Sequence, residues 1–139
     1  MSKRTYHNAR LGNDLVFSTT KARLRLFEDI DRNPIIVGHA LLNDFKALEM
    51  RPYRVVDTQI LEKDGADRAL WPHRPLRGIP KLRDLAEQMC DEIIQANPVK
   101  GHDCVEDVYA TREVLLEMEL SPVKLVSWAQ RHAHRQRMG

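Results

Sequence analysis

Cysteine is almost absent. The 139 residues hold two, Cys90 and Cys104, too few for a disulfide framework and in no metal-ligand spacing. That scarcity points to a reducing, intracellular compartment. Net charge is also small, +2 from 22 basic and 20 acidic residues, so no whole-molecule field demands a polyanionic partner. No apolar run approaches the ~20 residues needed to cross a bilayer, so no membrane partner is expected. The basic residues near Met1 have no apolar stretch behind them, so a secretory leader is not expected either. What is present, 42% hydrophobic and 30% charged residues, suits one ordinary domain able to bury a core.

The patterning is that of alternating helices and short strands. Residues 1–17 are polar and weakly patterned, with a turn at Gly12-Asn13-Asp14. Ser18, Thr19 and Thr20 offer N-caps to a helix whose apolar positions are Ala22, Leu24, Leu26, Phe27 and Ile30. Pro34 stops it, because a residue before proline avoids the α conformation. Ile35-Ile36-Val37 is wholly apolar and β-branched, as expected of a strand buried on both faces. Ala40 to Met50 then predicts a helix, and Val55-Val56 a second strand running into Asp57-Thr58. Strand, helix and strand with short links make a βαβ unit with parallel strands. Lys63 to Pro80, with three of the seven prolines, predicts a surface loop. Helices are expected at Leu82–Met89 and Val105–Met118, then an amphipathic segment, Val123 to Ala129, and a basic tail, Arg131 to Arg137. The expected organisation is an N-terminal segment at 1–17, an α/β domain at 18–120 and an amphipathic, basic tail at 121–139.

Two places carry chemistry. Asp44 follows the strand ending at Gly38, and in a parallel α/β layer sites form at the carboxyl ends of strands. Judged alone, an acid early in a helix also simply suits the dipole. His102 ends a loop, with Asp107 five residues on in the first turns of a helix. A positioned histidine takes a proton from water, and a nearby carboxylate holds a hard divalent cation. Alone, this pair too reads as a loop histidine and a solvated acid, with Asp103 as a helix cap.

The order and wording of four blocks resemble the DEDDh 3′–5′ exonucleases of the ribonuclease-H-like superfamily, nearest their RNA-processing branch. Gly38-His39-Ala40-Leu41-x-Asn43-Asp44-x-Lys46-Ala47-Leu48 is similar to the family's second motif. Val56-Asp57-Thr58 resembles the strand that follows. Ile79-Pro80-Lys81-Leu82-Arg83-Asp84-Leu85-Ala86 resembles its next helix. His102-x-x-Val105-Glu106-Asp107-x-x-Ala110-Thr111 resembles its third motif, with the same histidine-to-aspartate spacing. The resemblance runs from about Phe17 to Leu120.

That resemblance implies hydrolysis of RNA or DNA from a single-stranded 3′ end by a two-metal mechanism with Mg²⁺ or Mn²⁺. Asp44 and Asp107 would be metal-site carboxylates and His102 the general base. His39 and Asn43 would contact nucleic acid. A nuclear or nucleolar setting is also implied. The family further uses an Asp-x-Glu pair on its first strand, and no such pair occurs in these 139 residues. Glu28, Asp29 and Asp31 precede the strand and fall at its wrong end, about 10–13 Å away, so they are not expected to substitute. The expectation is therefore a ribonuclease-H-like α/β domain lacking its first strands, impaired in cutting, with an unpaired edge at Ile35–Val37 prone to self-association. The rival expectation is a non-catalytic nucleic-acid-binding or protein-interaction module.

Trp71 with Arg68, His73, Arg74, Arg77 and Lys81 forms an aromatic-and-basic cluster of a kind that suits single-stranded nucleic acid; the alternative is a solvated loop with Trp71 tucked into the edge of the core. The tail from Arg131 to Arg137 is expected to be a frayed, charged end, the alternative being a grip on nucleic acid or a weak nuclear signal. His102, His132 and His134 have no zinc-ligand spacing.

Overall fold

In the computed structural model, residues 16–72, 78, 80–96 and 101–138 are described. Helix α1 spans Thr19–Asp29, strand β1 Ile36–Gly38, helix α2 Leu42–Ala47 and strand β2 Val55–Asp57. Four longer helices follow: α3 Thr58–Leu70, α4 Leu82–Cys90, α5 Cys104–Leu120 and α6 Pro122–Met138. The architecture is mixed α/β with a two-stranded sheet.

Local chemistry sets the ends of these elements. Ser18, of the three candidate caps, accepts from Lys21 N–H at 3.1 Å and starts α1. Asp57 caps α3 and Asp103 caps α5, each accepting from the amide two residues on. Asp91, at φ 56°, ends α4 in the left-handed conformation that closes many helices. The strands are parallel, with Ile36 opposite Val55, Val37 opposite Val56 and Gly38 opposite Asp57.

The core is helical. Leu85, Ala86 and Met89 of α4, Val114 and Met118 of α5, Trp128 and Ala129 of α6, and Ala66 and Leu70 of α3 form one cluster. Helices α3 and α6 pack closely because residue 65 is glycine. A Cβ there would meet Leu125 Cδ2 at 2.5 Å. Each large apolar side chain fully buried in this cluster contributes about 1.5–3 kcal/mol.

Four expectations change. Ile35 and Val37 are 51% and 44% exposed, so the first strand is not buried on both faces. Among the described residues β1 pairs with β2 alone, and α5 packs on one side of it. The helix expected over Ala40–Met50 is confined to Leu42–Ala47, because Ala40 takes a left-handed φ of 59° that a helix cannot include. The loop expected over Lys63–Pro80 is helical as far as Leu70. The buried face of α3 is Thr58, Glu62, Ala66 and Leu70, a stripe too polar to register as apolar periodicity. The basic tail does not fray. It is helix through Met138, anchored by Trp128, Ala129 and Ala133 in the core. Among the described residues no helix is long and apolar enough to cross a membrane.

Candidate active site

One carboxylate builds the turn at the end of β1. Asp57 Oδ1 accepts from Ala40 N–H at 2.9 Å and Oδ2 from Leu41 N–H at 2.8 Å, while Oδ1 also caps α3 through Gln59 N–H at 3.0 Å. Three amides on one carboxyl group hold Ala40 in its unfavourable φ at the turn between β1 and α2. The Thr58 hydroxyl donates to the Gly38 carbonyl at 3.2 Å and lies 3.0 Å from His39 Nδ1. His39 is half-buried, and burial pushes its pKa below the ordinary value. The charges of Asp57 and Asp107 and the Pro80 carbonyl oppose that shift.

Facing this turn is the start of α5. Asp103 Oδ1 accepts from Val105 N–H at 3.0 Å, which fixes the first turn. His102, immediately before that cap, places Nδ1 3.1 Å from Asp107 Oδ2. The two side chains differ in cover: His102 is 69% exposed, whereas Asp107 is 24% exposed. Gln95 Nε2 donates to Asp107 Oδ1 at 2.8 Å and lies 2.9 Å from His102 Nδ1.

Both halves open onto one cavity of about 1130 Å³, lined among others by His39, Asp44, Lys81, Gln95, His102 and Asp107. Residues distant in sequence, Asp44 from α2 and the His102–Asp107 pair from α5, thus share one space beyond the carboxyl end of β1. Asn43 is exposed on α2 and does not line the cavity. Lys81 lies at its wall as an exposed cation. Arg74 and Arg77, like His73, lie outside the described residues. Trp71 is 82% exposed and Arg68 exposed on α3, and neither lines this cavity.

Several lining residues went unsuspected in the sequence. Arg83 and Arg112 bring further cations to the wall, and Gln95 joins the histidine–aspartate pair. For Arg112 a signal existed: Cys104, Asp107, Val108, Thr111, Arg112 and Leu115 recur at helical spacing, so Arg112 follows Val108 by one turn on the face that presents Asp107. Gln95 had none, being neutral and in a loop.

The donor set does not fit a pair of divalent cations. Asp44 and Asp107 are the two carboxylates among the cavity's lining residues, and among the described residues no group of three or more His, Cys, Asp or Glu side chains converges on a metal position. Magnesium fills much of its coordination shell with water and needs only one or two carboxylates, but two dications sharing two carboxylates leave a large excess of positive charge.

The chain resembles several RNA exonucleases. It is 36% identical over 107 residues to RNA exonuclease 3 of Emericella nidulans, a stretch covering 73% of this chain and 15% of that protein. It is 34% identical over 90 residues to the Bos taurus interferon-stimulated 20 kDa exonuclease-like 2, covering 61% and 24%. Against RNA exonuclease 1 of Saccharomyces cerevisiae it is 34% identical over 89 residues, covering 64% and 14%. The chain is thus similar to RNA exonucleases, as the resemblance of its motifs at Asp44 and His102–Asp107 implied. It spans 14–24% of the length of these three relatives. No protein-family model matches the chain, and no solved structure does.

Proposed function

We propose that the cavity receives the 3′ end of a single-stranded RNA, and that the chain is the His102-bearing part of a ribonuclease-H-like 3′–5′ exonuclease domain. One observation carries this: the hydrogen-bonded His102–Asp107 pair shares a cavity with Asp44 in a chain similar to RNA exonucleases. In this reading His102 Nε2 takes a proton from the attacking water, with Asp107 orienting the ring from Nδ1. Lys81, Arg83 and Arg112 offer positive charge to the phosphates. The Mg²⁺ or Mn²⁺ implied by the resemblance has no complete site among the described residues, so proton transfer and RNA positioning are what these side chains account for. A nuclear or nucleolar setting belongs to the same proposal.

The shortage of carboxylates favours a second reading, an RNA-binding module that does not cut. One experiment separates the two and tests both. Single-stranded RNA labelled at its 5′ end, with either a 3′-hydroxyl or a 3′-phosphate, is titrated with the chain and followed by anisotropy. Product lengths are then read after addition of Mg²⁺ or Mn²⁺. The expected result is preferential binding of the 3′-hydroxyl end and slow trimming from it, lost in His102→Ala. Preferential binding with no trimming selects the module, and absence of any RNA binding would sink both. Rapid trimming abolished by Asp107→Ala would show that two carboxylates suffice after all.

A further inference from the structure

Helix α2 brings Asp44 to the cavity, yet little in the helix itself fixes where it sits. It has six residues, none of them buried, and Leu41 at its N-cap position has no side-chain oxygen to cap it. A helix so short is far below the length that is stable alone. With no buried side chain, packing fixes it only weakly. Its ends do more.

The C-terminal end is held loosely. Arg23 of α1 reaches the Leu48 carbonyl at 3.4 Å and pairs with Glu49, whose side chain is 77% exposed, so solvent weakens that pair. The N-terminal end is held by Asp57 of β2. Oδ1 accepts from Ala40 N–H at 2.9 Å and Oδ2 from Leu41 N–H at 2.8 Å, so the neighbouring strand supplies the cap that α2 lacks. Oδ1 also accepts from Gln59 N–H at 3.0 Å and starts α3. One carboxyl group therefore sets the starts of two helices against each other. The turn is tight as well: Leu41 folds back over Gly38, where a Cβ would run into its side chain. Asp57 itself is not among the residues that line the cavity.

We infer that Asp57 is a positioning residue: through the Ala40 and Leu41 amides it places α2, and with it Asp44, in the cavity that the His102–Asp107 pair shares. What Asp44 does there rests on the exonuclease reading above; its placement by Asp57 does not.

The two oxygens have separate duties, and the test uses that division. In Asp57→Asn the remaining oxygen still accepts from Ala40 and Gln59, whereas the new amide nitrogen donates and cannot accept from Leu41. Asp57→Ala removes all three bonds. Amide hydrogen exchange is measured in the full chain. In Asp57→Asn the Leu41 N–H is expected to exchange about tenfold faster, the effect of one lost hydrogen bond, with Gln59 as in wild type. In Asp57→Ala the Gln59 amide should speed up too, and the signals of Asn43, Asp44 and Phe45 should shift. Val114 and Trp128 are expected to report an unchanged core, whereas a general loss of stability would move all of these together.

A double-mutant cycle reads the consequence at the cavity, with single-stranded RNA bearing a 3′-hydroxyl as the probe and no divalent cation present. Asp44→Asn should tighten binding about threefold, by removing a carboxylate from beside the phosphates. In the Asp57→Ala background the same substitution should change affinity by less than about 1.5-fold, because Asp44 no longer sits there. Equal Leu41 exchange in wild type and Asp57→Asn, or a gain from Asp44→Asn that survives in Asp57→Ala, overturns the inference. Should Asp57→Ala fail to fold, the Leu41 and Gln59 amides of Asp57→Asn decide alone. If the exchange pattern appears and the chain binds no RNA, the positioning role stands and the exonuclease reading falls.

Discussion

The four helices from Thr58 onward and the two strands before them use their apolar residues in opposite ways. In the helices, Leu85, Val114 and Trp128 are at most 1% exposed and share one cluster. In the strands and the residues flanking them, Ile35, Val37 and Val55 are 51%, 44% and 41% exposed. A helix buries one stripe against its neighbours, so four suffice to enclose a core. A strand needs partners on both edges and layers on both faces, and two strands cannot supply these to each other. The difference teaches where precision in this chain resides. Asp107 rides on α5, which the core holds on its other face, and His102 stands just before that helix's cap, whereas Asp44 rides on six-residue α2 beside the thinly supported sheet.

The largest expected effect breaks the helical side. Trp128→Ala removes a side chain that α3, α4 and α5 enclose, and it should lower stability by about 3–5 kcal/mol in urea unfolding. An effect under about 1 kcal/mol would mean that the helices do not carry the fold.

Glu62 comes next, as the flaw in that side. It is fully buried, and neither carboxylate oxygen has a hydrogen-bond partner among the described residues. Desolvation raises its pKa from 4.5 to about 8, with Lys63 pulling weakly the other way. The folded state therefore holds a proton that the unfolded chain releases. Stability should be greatest below the unfolded value and fall by about 1.4 kcal/mol per pH unit between those two pKa values. Glu62→Gln should flatten that slope and raise the melting temperature at pH 8. An unchanged slope in the variant would show that Glu62 is solvated or paired.

The smallest effect is expected on the strand side. Val37→Thr or Val55→Thr should change stability by no more than about 0.5 kcal/mol, because both positions already face solvent. Charges there should act on association instead. Val37→Lys is expected to reduce any concentration-dependent scattering of light, since exposed apolar strand surface is what promotes self-pairing. A large loss of stability from Val37→Thr would show that other chain segments cover β1.

The same contrast governs what the sequence disclosed. Val55-Val56 and Ile35–Val37 announced parallel strands because β-branched runs have few other uses, but a run of three cannot say whether anything covers it. Helices α4 and α5 were legible from Leu82, Leu85 and Met89 and from Val114 and Met118. Helix α3 was hidden because its inward stripe is Thr58, Glu62, Ala66 and Leu70. The end of α6 was hidden because alanines, Ala129 and Ala133, do its packing beneath Arg131, His134 and Arg135. In the site, Asp44, His102 and Asp107 stood out through the resemblance of the motifs that carry them, since alone each also reads as an ordinary solvated residue. Asp57 and Gln95 act through hydrogen bonds to backbone or to other side chains, which spacing does not encode.

Chemical-shift mapping with a short single-stranded RNA bearing a 3′-hydroxyl tests the central claim most directly. The account predicts perturbations gathered at Gly38, His39, Asp44, Lys81, Gln95, His102, Asp107 and Arg112. Perturbations centred instead on the outer surfaces of α3 and α6, with those eight residues silent, would contradict it.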